Sequence, residues 1–191
     1  MERDLPIKVG VWLLMSDIFL ISDQHFGHSK PYTTFLREDG TLLRPHGSAQ
    51  AGDEAMIENH NKVVKQSSKV YFLGDVFMTT KANEIANVMR RLNGTKVLIK
   101  GNHDVAKLSV YAEHFKDVRA YHVLANLALS HVPLHPDSIS ERWLGNVHGH
   151  LHYHTVKDSS GKDDPRYLNV SVERINYTPI ALEEVIRHFK S

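Results

Sequence analysis

IFLISDQH (18–25) is a β-branched and aromatic run that ends in an acid and a histidine spaced two apart. An apolar run of this length, bounded by Ser and Asp, predicts a strand. Four other segments repeat the arrangement: VYFL leads into Gly74-Asp75, KVLI into Gly101-Asn102-His103-Asp104, LALS into His131, and LGNV into Gly149-His150-Leu151-His152. Side chains two apart on an extended chain point the same way, so Asp23 with His25, and His150 with His152, each offer two donors to one pocket. Open α/β sheets collect ligands at strand ends. The five polar segments are therefore expected to meet there.

Working outward, strands are predicted near 17–22, 69–73, 95–100, 118–123, 126–130, 144–148 and 167–172. Helical patterns lie at 51–66 and at 80–92, where Asn93-Gly94 acts as a stop, and Pro179 introduces a last helix at 180–189. Strand–helix–strand alternation in the first half argues an α/β fold with parallel pairs. The second half is richer in strands with short connections, which favours a mixed sheet or two packed sheets over a simple doubly wound one. Segments 29–50 and 133–145 fit no regular element. As long irregular loops following His25–Gly27 and His131, they are expected to shape access to the site.

The chain has 191 residues, 41% of them apolar, enough for one substantial core, and no Gly/Ser-rich or Pro-rich stretch divides it. Residues 15–191 are read as a single domain. Residues 1–14 are read as an N-terminal extension: the apolar VGVWLLMSDIFLIS is broken by Asp17, lacks a small-residue cleavage site, and is neither signal peptide nor membrane span. A net charge of +1, from 23 basic and 22 acidic residues, gives no basic run for a membrane surface or a long nucleic-acid footprint. Cysteine is absent, so disulfides and thiolate ligands are excluded and a cytoplasmic setting is expected. Nine of the fourteen histidines fall between positions 103 and 154, a bias that points to metal held by nitrogen and oxygen donors.

Taken in order, DxH, GD, GNHD, H and GHxH resemble the calcineurin-like metallophosphoesterase family over residues 23 to 152. The resemblance implies a four-layer αββα sandwich, two mixed sheets stacked face to face with helices outside. It also implies that Asp23, His25 and His152 hold one ion, that Asn102, His131 and His150 hold the other, and that Asp75 bridges both. Two divalent cations less two carboxylates leave a surplus of about two positive charges, which suits a phosphate ester. Ions roughly 3.5–4 Å apart lower the pKa of a bridging water and clamp the oxygens of an in-line displacement. A thiolate-free donor set favours Mn, with Fe, Zn, Co or Ni as alternatives, over Mg or Ca.

In the family, the histidine at the position of His103 is not a ligand but the general acid. The protein-phosphatase branch places a second Asp three residues after the bridging one, where this chain has Met78, and it lacks that branch's Arg after GD, which argues against a phosphoprotein substrate. Asp104 either orients His103 or caps the following helix, with capping favoured. His28 is a candidate phosphate contact, His148 a candidate support for the GHLH pair, and Arg142, Trp143 and Tyr153 candidate contacts to a leaving group. The expected activity is a phosphodiesterase acting on nucleotide-type or other small phosphate esters. Two alternatives stay open: a nuclease working on DNA or RNA ends, and a binding module that keeps the fold without catalysis.

Overall fold

The computed structural model describes residues 17–190; the extension read over residues 1–14 lies outside them. Strands β1 (Ile18–Ile21), β2 (Lys69–Phe72), β3 (Thr95–Ile99) and β4 (Asp117–Arg119) pair in parallel, and the two-residue β9 (Ile180–Ala181) joins β1 antiparallel, in the order β4-β3-β2-β1-β9. A second sheet, β5-β6-β7-β8, contains β5 (His122–Leu124), β6 (Leu127–Leu129), β7 (Gly145–His148) and β8 (Tyr167–Asn169). Its β5–β6 pair is antiparallel and the others are parallel. Both sheets are mixed, and with the flanking helices they form an α/β sandwich.

Period-2 alternation divides the first sheet between two cores. On one face Leu20, Tyr71, Leu73, Val97 and Ile99 meet Leu127, Leu129 and Val147 of the second sheet, and α5 (Leu182–His188) adds Leu182, Val185 and Ile186. On the other face Phe19, Ile21, Val70, Phe72 and Leu98 pack under α2 (Ala49–Val63) through Met56 and Ile57, α3 (Ala82–Met89) through Ile85 and Met89, and α4 (Leu108–Ala112) through Tyr111. Each fully buried Leu, Ile or Phe contributes roughly 1.5–3 kcal/mol. Two filled faces therefore hold the central strands rigid beneath the loops at their ends. Asn146 and Tyr167, on the outer face of the second sheet, bond the loop around the 3₁₀ turn Pro136–Ser138: Leu134 N–H donates to Asn146 Oδ1 at 2.9 Å, and the Tyr167 hydroxyl donates to the Leu134 carbonyl at 2.7 Å. Among the described residues no helix is long and apolar enough to cross a membrane.

The structure corrects several boundaries. The strand expected at 118–123 is two strands in different sheets, because the chain leaves the first sheet after Arg119 and enters the second at His122; residue type records burial, not which sheet provides it. Residues 180–181 pair with β1 before α5 begins. Segment 29–50 holds a one-turn helix, α1 (Lys30–Thr33), and a Leu36–Leu42 bridge, and α4 fell in a stretch without a clear helical pattern.

Candidate metal centre

All seven expected donors lie at the carboxyl ends of β1, β2, β3, β6 and β7. Asp23, His25 and His152 form one cluster and Asp75, His131 and His150 a second, one nitrogen or oxygen from each residue lying within 4.8 Å of the others in its cluster. Asp75 sits between them: its Oδ2 is 3.6 Å from His25 Nε2 and 3.3 Å from His131 Nε2. Asn102 joins the second cluster, with Oδ1 3.0 Å from His131 Nε2.

Five of these residues have left-handed backbones: Asp23 (φ 60°), His25 (φ 48°), Asp75 (φ 54°), His150 (φ 69°) and His152 (φ 52°). Each such conformation costs roughly 1–2 kcal/mol for a residue with a Cβ, and it persists only where the surroundings over-determine it. Here the turns hold one another. Asp23 N–H donates to the Gly74 carbonyl and His25 N–H to the Asp75 carbonyl, both at 3.0 Å, while Gly149 N–H donates to the His131 carbonyl at 2.9 Å. Two glycines make the close approach possible. A Cβ on Gly74 (φ +89°) would stand 2.6 Å from His131 Nδ1, and one on Gly149 would collide with Ser22 Oγ and Asp23 Oδ2.

The donor chemistry fits cations. Nδ1–H of His131 donates to the Leu73 carbonyl at 2.7 Å, which leaves Nε2 as a lone pair facing Asp75 Oδ2 and Asn102 Oδ1. Three acceptors so placed repel one another unless a cation or a proton lies among them. In the first cluster Asp23 Oδ1 and both ring nitrogens of His25 are buried without a hydrogen-bond partner, and such groups are costly unless something compensates them. Asp23 Oδ2, by contrast, accepts from His150 N–H and the Ser171 hydroxyl, each at 2.8 Å.

The electrostatics agree. Burial alone would raise the carboxyls of Asp23 and Asp75, but the neighbouring histidines outweigh it and hold both below the usual carboxylate range. Burial alone would lower His131 and His152, yet the carboxylates of Asp75 beside His131 and Glu173 beside His152, with the field of Asp23, favour the protonated rings and raise both.

Around the clusters the expectations divide. The exposed His103 lies beside the site, its ring 5.3 Å from that of His25, and its backbone N–H donates to Asp75 Oδ1 at 2.8 Å. His28 sits half-buried at the rim, 5.8 Å ring to ring from His25, and burial together with the charge of His25 lowers its pKa to about 4. His148 is buried in β7, its Nδ1 2.8 Å from the Gly149 carbonyl. Asp104 neither caps a helix nor orients His103. α4 starts four residues later, with Lys107 at its cap, and the buried Asp104 carboxylate accepts the backbone N–H groups of Asp75, Val76 and Gly101 at 2.8, 3.0 and 2.9 Å. Trp143 packs on Tyr121, and Leu144 N–H bonds the Asn126 carbonyl, which places the end of the 133–145 loop at the amino ends of β6 and β7, the end opposite the clusters. The Tyr153 hydroxyl is taken up by Glu38 N–H at 3.1 Å.

The motif reading missed Arg44 and Glu173. Glu173 Oε1 lies 3.2 Å from His152 Nδ1 and accepts from Arg44 Nε at 2.8 Å. Arg44 also donates to the carbonyls of Gln24 at 2.6 Å and Asp23 at 2.5 Å. Burial would raise Glu173, but Arg44 and His152 hold it low. Neither residue belongs to a spaced motif; each reads as an ordinary charge in a polar stretch.

No protein-family model matches the chain. It resembles a crystal structure of AQ665, a protein of unknown function from Aquifex aeolicus, with a TM-score of 0.64 and 25% identity, covering 89% of this chain and 97% of that one. It is also 31% identical over 178 residues to the uncharacterized protein MJ1445 of Methanocaldococcus jannaschii, spanning 91% of each. At that identity and coverage, this chain belongs to the same family as MJ1445.

Proposed function

We propose that this protein is a binuclear metal-dependent phosphoesterase of the calcineurin-like kind, most at home on diesters of nucleotides or other small phosphate esters. The observation that carries the reading is the placement of Asp75, one carboxylate oxygen of which stands within 3.6 Å of a histidine from each cluster. Asp23, His25 and His152 would hold one ion, and Asn102, His131 and His150 the other, with Asp75 shared. Such ions, with Mn favoured, would supply positive charge for the phosphate and acidify a water for attack.

The remaining steps belong to the chain. His103 stands beside the His25 ring with its backbone fixed by Asp75, and a ring nitrogen there delivers a proton to the departing alkoxide as general acid. His28 at the rim offers a donor to a phosphate oxygen. Positive-φ turns locked by strand-to-strand bonds keep the donors in place before substrate arrives, so little reorganisation is needed. A cysteine-free chain suits the cytoplasm.

The test is a purified sample stripped with a chelator, reloaded with Mn²⁺, and assayed on a diester and a monoester reporter and on a panel of cyclic and linear nucleotides. Hydrolysis that appears on reloading, with about two ions per chain, supports the reading. Loaded protein inert on every ester, or hydrolysis that survives stripping, overturns it.

A further inference from the structure

A buried Arg–Glu pair is an inefficient way to stabilise a fold, because desolvating both charges commonly offsets their attraction and an apolar pair of similar volume does as well. Arg44 and Glu173 are nonetheless both buried, with neither side chain exposed, and they lie 129 residues apart in sequence. Apart from a 3.4 Å contact between Arg44 Nη1 and the Tyr32 hydroxyl, their other side-chain hydrogen bonds among the described residues run to the first cluster and its turn. Nη1 and Nη2 hold the carbonyls of Gln24 and Asp23, and Glu173 Oε1 meets Nδ1 of His152.

We infer that Arg44 and Glu173 are positioning residues for the ion held by Asp23, His25 and His152, an inference that rests on the two-metal reading above. Glu173 accepts Nδ1–H of His152, which fixes the tautomer and leaves Nε2 as the ligand nitrogen. A carboxylate behind a ligating imidazole orients the ring and raises its basicity. Arg44 balances the charge of Glu173 and braces, from behind, the turn in which Asp23 and His25 have φ of 60° and 48°. One guanidinium thus acts on all three members of the cluster, on Asp23 and His25 through the backbone of their turn and on His152 through Glu173. The second cluster is arranged differently: His131 is oriented by a neutral backbone carbonyl, that of Leu73. Loss of the Arg44–Glu173 pair should therefore weaken one ion and spare the other.

The test is metal titration of the whole chain by calorimetry and Mn²⁺ EPR. Because Glu173→Ala alone would strand a buried guanidinium, the variant of choice is R44M/E173L, which removes both charges together. Its first ion should bind roughly 10–100-fold more weakly while the second is unchanged, and R44M/E173Q, which returns an acceptor oxygen to His152, should recover most of the loss. Equal weakening of both ions, or no weakening, overturns the inference. In unaltered Zn²⁺-loaded protein, ¹⁵N NMR should find the His152 proton on Nδ1, and metal on Nδ1 would overturn it without any variant. A wild-type chain that takes up no ion brings down the two-metal reading together with this inference; a wild type that binds two ions beside an unaffected variant brings down this inference alone.

Discussion

The carboxylate of Asp104 accepts the backbone N–H of Asp75 at 2.8 Å. Through its further bonds to Val76 and Gly101 it ties the turn after β2 to the turn after β3. The residue after His103 thereby sets where the shared carboxylate sits. Asp104→Ala would leave three buried N–H groups unsatisfied, each worth about 1–3 kcal/mol. The expected loss is on the order of 3–5 kcal/mol, seen as a melting temperature lower by roughly 10 °C, together with weaker binding of both ions. An alanine variant with wild-type melting and metal content would contradict this role.

Asp75 serves both clusters, whereas His131 serves one. Asp75→Ala should therefore remove more metal than His131→Ala, measured as ions per chain after gel filtration. Equal retention by the two variants, with full activity in the Asp75 variant, would end the two-metal reading.

His103 stands next to the two clusters and belongs to neither. His103→Ala or His103→Asn should keep both ions and nearly intact substrate affinity while lowering turnover by roughly 10²–10⁴. The defect should be larger for a nucleotide, whose alkoxide needs a proton, than for a nitrophenyl ester, whose leaving group does not. Loss of metal, or equal defects on both esters, would make His103 a ligand or a structural residue.

Gly149 has Ser22 Oγ and Asp23 Oδ2 where a Cβ would go. Gly149→Ala should cost about 1–3 kcal/mol through overpacking and should loosen the first cluster more than the second. Chemical denaturation and site-resolved metal titration check both parts, and an unperturbed variant would mean that the turn has more slack than its contacts indicate.

His60 is buried, with Nε2 3.0 Å from the Asn93 carbonyl, and burial lowers its pKa to about 4. The unfolded chain takes up this proton near pH 6.5 and the folded chain only near 4, so His60 costs no stability above pH 6.5, costs progressively more as pH drops through that window, and adds no further loss below it. One proton of difference corresponds to about 1.4 kcal/mol per pH unit. His60→Gln should flatten the dependence of unfolding free energy on pH between 6 and 4.5 by that slope, measured in urea at several pH values. An unchanged slope would mean that the ring titrates normally.

Much of this arrangement is legible in the chain. IFLI, VYF and KVLI are strands because β-branched and aromatic residues buried on both faces leave a near-continuous apolar run, while LAL and GNVH are short buried strands of the second sheet, the latter carrying the buried polar Asn146 and His148. The polar residues that stop each run are the ones that converge because a strand end is where a side chain can leave the core and still be held rigidly. That Asp23, His25, Asp75, Asn102, His131, His150 and His152 come together was therefore readable from local pattern and order alone. The break between β4 and β5 was not, since nothing in DVRAYHVL (117–124) distinguishes one long strand from two short ones in different sheets.

What the sequence determined by itself was most of the strands, their parallel pairing in the first half, and which polar side chains gather at the strand ends, all of which follow from short-range periodicity and turn chemistry. What only the tertiary structure decided was everything that depends on residues far apart in the chain meeting: the single carboxylate of Asp75 between two clusters, Asp104 bonding backbone instead of capping a helix, and Arg44 reaching across 129 residues to Glu173 behind His152. An isolated Arg or Glu looks the same in a sequence whether it is solvated or buried. Its role is set by the partner that replaces its water, and that partner is chosen only when the two sheets close over the loops at their ends.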